Sequence, residues 1–235
     1  MTLSASPRIL FEDTHLVVLS KPAGLLSQGD VSQEPSLVDW LRDHFGRHYV
    51  GLVHRLDRNT SGIMIVAKRS KAADRLTAAL QEGLLERRYK AWVLGRFSRT
   101  AERWHHYLVK NEEKNESRVA RRGTPGAKEA QLSLLVLNVS NFSGREISLV
   151  EIKLETGRSH QIRVQAAAER HPILGDSKYG EHAWEEWNRA FGRPALHSFF
   201  LSFPHPMSGE KMAFEDPLPS DMSRLLPPDR RKAKV

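Results

Sequence analysis

The acid that stands out for chemistry is Asp57, in the stretch GLVHRLDRNTSGIMIVAKRS (51–70), where Arg55 and Arg58 flank it and an apolar run follows. Nearby positive charge favours a carboxylate over its protonated form, so Asp57 is suited to act as a nucleophile or general base rather than as a general acid. The same residues also fit a plainer role, an aspartate capping the next turn between two surface arginines, since structural ion pairs hold acids in this way too. A second group lies in GRSHQIRV, where His160 and Arg163 are spaced i, i+3 on a proposed helix and Gly157 allows an unusual backbone at its entry. If that face met Asp57, Arg163 could pair with it.

Other chemistries lose their sequence support. No G-x-S-x-G elbow, phosphate-binding loop or G-x-G-x-x-G follows a strand. The chain holds no cysteine, which excludes disulfides, thiolate nucleophiles and Cys-based zinc sites. The adjacent His105 and His106 lack the i, i+4 spacing with which one helix face grips a metal, so no metal site is expected.

Positioning these residues falls to a succession of short elements. HLVVLSKPAG (15–24) reads as a buried strand stopped by Pro22 and Gly24. SLVDWLRDHFG (36–46) reads as a helix with Ser36 as N-cap, Asp39 in its first turn, apolar residues at 37, 38, 41 and 45, and Gly46 as its stop. GIMIVAK (62–68) is a strand, and SKAADRLTAALQEG (70–83) a helix capped by Ser70 and ended by Gly83. RRYKAWVLGRF (87–97) alternates as a strand does, with Tyr89, Ala91 and Val93 on one face.

Residues 110–128 are polar, charge-dense and punctuated by Gly and Pro, the composition of a mobile loop. Two strands follow, AQLSLLVLNV and REISLVEIKLE, turned at Ser143 and Gly144. A helix is expected from near Ser159 to before Pro172, and ALHSFFLSFPHPMSGEKMAFEDPL suggests a hairpin turned at PMSGE. Strands outnumber helices and often come consecutively, which points to an α+β fold around a mostly antiparallel mixed sheet flanked by helices and loops. One domain over 9–218 is expected, with 219–235 a basic, disordered tail.

The 235 residues carry 36 Lys and Arg against 28 Asp and Glu, a formal charge of +8, and 40% of them are apolar. That balance points to polyanions, with RNA, DNA and acidic membrane surfaces all open. No run nears the roughly 18 apolar residues of a membrane span, and the first residues lack a signal-peptide pattern, so a cytoplasmic protein is the expectation.

HRLDRNTSGIMIVAK closely resembles the signature of the RluA family of RNA pseudouridine synthases, in which a His-Arg-Leu-Asp run precedes Thr-Ser-Gly and a hydrophobic strand. Further blocks resemble the same family in the same order: LSKPAGLLS, RRYKAWVLG, LETGRSHQIRV with HPILGDSKYG, and LHSFFLSFPHPMSGE. The resemblance implies the family's catalytic domain, here without the small N-terminal S4 RNA-binding module, since only about twenty residues precede KPAG. It makes Asp57 the catalytic aspartate, Tyr89 the tyrosine that packs against the target base, and Arg163 the arginine that pairs with the aspartate. Arg55 becomes the arginine that holds the RNA and its flipped-out nucleotide. Beside the resemblance, Arg58 and the 110–128 loop are candidate phosphate contacts, and His160 and Lys21 are expected to contact the RNA as well.

The implied reaction breaks the N1–C1′ bond of a uridine, turns the uracil and rejoins it through C5. It has no net redox change and needs no cofactor. Asp57 either attacks C1′ or removes the 2′ proton, and the sequence leaves both routes open. The implied partner is a uridine in a stem-loop of ribosomal or transfer RNA, met by a monomer; a non-catalytic RNA-binding protein on the same fold is the alternative. Gln28, Gln165 and AAERHP depart from the common family pattern, which weakens any inference about the RNA recognised.

Overall fold

The computed structural model describes residues 6–30, 32–46, 49–180 and 185–227. The chain divides into two compact units, Met1–Tyr89 with Leu196–Pro217, and Lys90–Ala195 with Leu218–Val235. Strand β5 (Glu86–Leu94) begins in the first and ends in the second.

The first unit is built on β1 (Arg8–Glu12), β2 (Leu16–Lys21), β3 (Gly51–Leu52), β4 (Ser61–Ala67), β10 (Leu196–Pro204) and β11 (Lys211–Glu215), with helices α1 (Leu37–Phe45) and α2 (Ser70–Gln81). Pairing is antiparallel for β1/β2, β2/β4, β3/β4 and β10/β11, and parallel for β4/β10, where His197 lies opposite Ser61 and Ser198 opposite Gly62. Every residue of β4 is buried, which is why it reads as an unbroken apolar run rather than an alternating one. Ile63, Ile65 and Ala67 of β4 pack with Leu16, Val18, Leu201, Phe203 and, from α2, Ala72 and Leu76. Each Val, Leu, Ile or Phe side chain among them, fully buried, contributes roughly 1.5–3 kcal/mol.

Helix α1 opens with a full capping box: the Ser36 side chain accepts from the Asp39 N–H, and the Asp39 side chain accepts from the Ser36 N–H. Gly46, at φ 56°, ends it in the left-handed conformation. For α2 the expectation of a Ser70 cap is corrected. Arg69 is the capping residue, without a side-chain bond, and Ser70 is already helical. Gly83 terminates α2 as expected, with the Leu84 N–H reaching back to the Ala79 carbonyl.

The second unit contains β6 (Ala101–Asn111), β7 (Glu116–Ala120), β8 (Lys128–Phe142) and β9 (Arg145–Leu154), with α3 (Gln161–Ala168), α4 (Glu185–Phe191) and α5 (Ser220–Ser223). The four strands pair antiparallel in the order β9-β8-β6-β7. Ser143 and Gly144 both have positive φ, as a tight hairpin turn matching the strand twist requires.

Two expectations fail here. Residues 110–128 are not a mobile loop: β6 runs to Asn111, and 116–120 form β7, paired from Tyr107↔Ala120 to Asn111↔Glu116. Charge density belongs to this strand because β7 ends the strand order, and charged side chains protect such edges from further pairing. The expected unstructured tail from 219 is likewise corrected for 219–227. Helix α5 forms there, Met222 is fully buried, and its carbonyl accepts from the Trp92 indole N–H at 2.9 Å. Residues 228–235 lie outside the described residues.

Candidate active site

Asp57 is half-buried on the loop between β3 and β4, and both of its neighbours in sequence are pinned. The Ser27 hydroxyl donates to the Leu56 carbonyl at 2.6 Å and accepts from the Leu56 N–H at 3.2 Å. On the other side, the Arg58 carbonyl accepts from the Gly24 N–H at 2.9 Å and from Lys21 Nζ at 3.0 Å. The Thr60 N–H then closes a turn onto the Asp57 carbonyl at 3.0 Å. The stretch SKPAGLLS is therefore the mould into which the Asp57 loop is cast, and that explains why the two blocks occur together.

Lys21 belongs to that mould rather than to an RNA surface, which corrects its expected role. It is fully buried and its ammonium also donates to the carbonyls of Pro22 and Leu25, at 3.0 and 2.8 Å. A cation without acceptors at that depth would cost several kcal/mol, so the three carbonyls are what make the burial affordable. Arg58 is exposed, as an RNA contact must be, and its guanidinium is bonded twice to Glu34, at 2.9 and 2.5 Å, with Nε on the Gly24 carbonyl. Arg55 is exposed.

Tyr89 comes from β5, where it shares a buried face with Arg87. Burial pushes the Tyr89 hydroxyl above its ordinary pKa; the Arg87 guanidinium opposes this, the Asp57 carboxylate within Coulomb range adds to it, and a hydrogen bond with the Ser198 side chain opposes it again. The phenol therefore stays protonated at neutral pH. His54, three residues before Asp57, is buried and driven down to about 3, by desolvation first and the Arg87 guanidinium second. It is a neutral imidazole whose Nε2 accepts from the Ile65 N–H at 3.3 Å, which leaves the proton on Nδ1. Sequence reasoning missed both His54 and Arg87, although each sits in a quoted block; nothing local marks a histidine as buried.

Thr60 and Ser61 are buried, and Gly62 follows at φ 118°. A Cβ on Gly62 would stand 2.1 Å from the Ser198 carbonyl oxygen, so only glycine lets β10 come alongside the turn.

His160 and Arg163 lie in the second unit. The helix starts at Gln161 rather than near Ser159, and His160 is its cap at φ 54°. Its Nδ1 is 2.6 Å from the Tyr179 hydroxyl, and the Arg163 guanidinium lies 5.0 Å from the centre of the Tyr179 ring. Arg163 Nε and Nη2 donate to both oxygens of the buried Asp176, at 2.7 and 2.8 Å, a bidentate pair that fixes the guanidinium plane. Asp176 also accepts from the backbone N–H groups of Lys178 and Tyr179. Asp176 and Tyr179 sit in HPILGDSKYG, so their block was legible while their task was not.

With this geometry in view, comparison with known proteins is direct. Residues 15–168 match the family model described as RNA pseudouridylate synthase. The chain is 38% identical over 234 residues to the uncharacterized RNA pseudouridine synthase YjbO of Bacillus subtilis, covering 96% of this chain and 78% of that protein. It is 32% identical to ribosomal large subunit pseudouridine synthase D of Vibrio parahaemolyticus, over 91% of this chain and 68% of that one. Among solved structures, human RNA Pseudouridylate Synthase Domain Containing 1 superposes with a TM-score of 0.76 at 25% identity, covering 92% and 86% of the two chains.

The chain belongs to the RNA pseudouridine synthase family. It is an isomerase that converts uridine in RNA to pseudouridine.

Proposed function

We propose that Asp57 carries this isomerisation and that the RNA is structured, with ribosomal RNA its first candidate and transfer RNA the second. The observation that carries the reading is the clamped loop: the residues on either side of Asp57 are bonded to the 20–27 stretch, so the carboxylate is aimed before any RNA arrives. Such preorganisation is what a group attacking C1′ or removing the 2′ proton needs, because little motion is left to be lost in the reaction. Ribosomal RNA is favoured because relatives such as the Vibrio parahaemolyticus protein are named for the large ribosomal subunit.

A uridine must leave its stack to reach the site, at a cost of a few kcal/mol. In this proposal Tyr89 meets the extruded base, and Arg55 and Arg58 meet its phosphates. The formal charge of +8 draws RNA in and makes binding fall with salt. The enzyme works as a cytoplasmic monomer on a stem-loop, and no cofactor takes part. Mapping pseudouridines in ribosomal and transfer RNA from cells with and without the gene tests the target. Discrete ribosomal sites should vanish and return with the wild-type gene; loss confined to transfer RNA would overturn the ribosomal choice.

A further inference from the structure

Behind the Asp57 turn runs a buried chain of hydrogen bonds that the reaction as described does not use. Ser61, two residues after the turn's Asn59 and directly after Thr60, has its Oγ 2.9 Å from His197 Nδ1. The other ring nitrogen of His197 faces two oxygens of Asp216, the carbonyl at 3.2 Å and the carboxylate Oδ2 at 3.6 Å. Asp216 in turn accepts from the Ser20 hydroxyl at 2.5 Å and from Arg8 Nη2 at 2.6 Å. Ser61, His197 and Asp216 are all buried, so no substrate reaches them and the serine is not a nucleophile.

The direction of the chain follows from its acceptors. Asp216 offers only oxygens to Nε2, so Nε2 carries the imidazole proton, and Nδ1 is left to accept the Ser61 hydroxyl. His197 therefore fixes Ser61 through a lone pair aimed by Asp216. The next residue, Ser198, hydrogen-bonds the Tyr89 side chain and donates to the Ile63 carbonyl at 3.2 Å. Two consecutive residues of β10 thus touch the two sides of the site: one grips the turn that follows Asp57, the other the tyrosine. The close approach at Gly62, where no Cβ fits, keeps β10 in that register.

We propose that His197, oriented by Asp216, is a positioning residue for the Asp57 carboxylate, acting through Ser61 and the Thr60–Asp57 turn. This rests on Asp57 being the catalytic group. A displacement of the carboxylate on the order of 1 Å can cost about 100-fold in rate. Ser61, His197 and Asp216 are buried, so substituting Ser61 or His197 should leave RNA binding unchanged.

The test measures tritium release from RNA labelled at uracil C5, with kcat and KM determined separately, for wild type and for H197L, H197N, S61A and D57N. Asparagine at 197 keeps an acceptor near the Nδ1 position, leucine has none, and S61A removes a single oxygen from a folded site. The expected result is kcat lowered about 100-fold in H197L and S61A at unchanged KM, with H197N recovering most of the rate. An S61A enzyme with wild-type kcat, or an H197N enzyme as slow as H197L, overturns the positioning role while D57N remains silent. An active D57N overturns the catalytic assignment beneath it.

Discussion

Exchanging His54 for glutamine should change how the protein responds to acid, and the size of the change follows from where the imidazole sits. In the unfolded chain this histidine takes up a proton near pH 6.5, whereas in the folded protein burial and the Arg87 guanidinium delay uptake to about 3. Its depressed value therefore contributes stability that is fully present above pH 6.5 and is lost progressively as the pH falls through the window down to about 3. At about pH 4.5, two units into that window at roughly 1.4 kcal/mol each, the loss is about 3 kcal/mol. Glutamine reaches the same depth, can still accept from the Ile65 N–H, and does not titrate. Every other group titrates alike in both proteins and cancels in the comparison. Urea unfolding followed by circular dichroism at about pH 7 and about pH 4.5 should show the wild type losing about 3 kcal/mol more than H54Q. Equal losses would refute the assignment of His54 as a neutral, buried imidazole, and so would a nitrogen NMR spectrum showing His54 protonated at about pH 5.

Three other outcomes are expected. Asp176→Ala leaves the buried Arg163 without its bidentate acceptor and should cost about 3–5 kcal/mol, read as a fall in thermal midpoint. Lys21→Met removes the donor shared by three carbonyls and should cost about 1–3 kcal/mol, while the salt dependence of RNA binding stays as in wild type, because the Lys21 side chain is buried. If Tyr89 is the surface on which the extruded base rests, Tyr89→Phe should keep most of the activity and Tyr89→Leu lose about 10- to 100-fold, from a stacking contribution of about 1–3 kcal/mol, measured as pseudouridine formed per enzyme.

What could be read from the sequence was what short-range chemistry decides. Ser36 and Asp39 are three residues apart and cap α1 with their own backbone, so the helix start was visible in the letters. Strand β4 was visible because burial on both faces leaves an unbroken apolar run. Misreadings occurred where a distant partner sets the outcome. The charged residues of 116–120 form a strand because β6 pairs with them and because Ser117 is buried with its N–H on the Tyr179 hydroxyl, 62 positions away. Lys21 is expected among the RNA contacts, yet three carbonyls, one of them 37 positions distant, receive it inside the protein. Asp57 itself was marked by its family signature, while the clamps that aim it, Ser27 and Lys21, lie in a block whose purpose shows only in three dimensions.

The central claim is that Asp57 performs the isomerisation, and one comparison tests it most directly. Purified wild type and D57N are each incubated with RNA carrying tritium at uracil C5, and released label is counted alongside RNA binding. The account predicts release by the wild type, none by D57N, and similar affinity of both for the RNA. Label released by D57N at a rate near that of the wild type would contradict it.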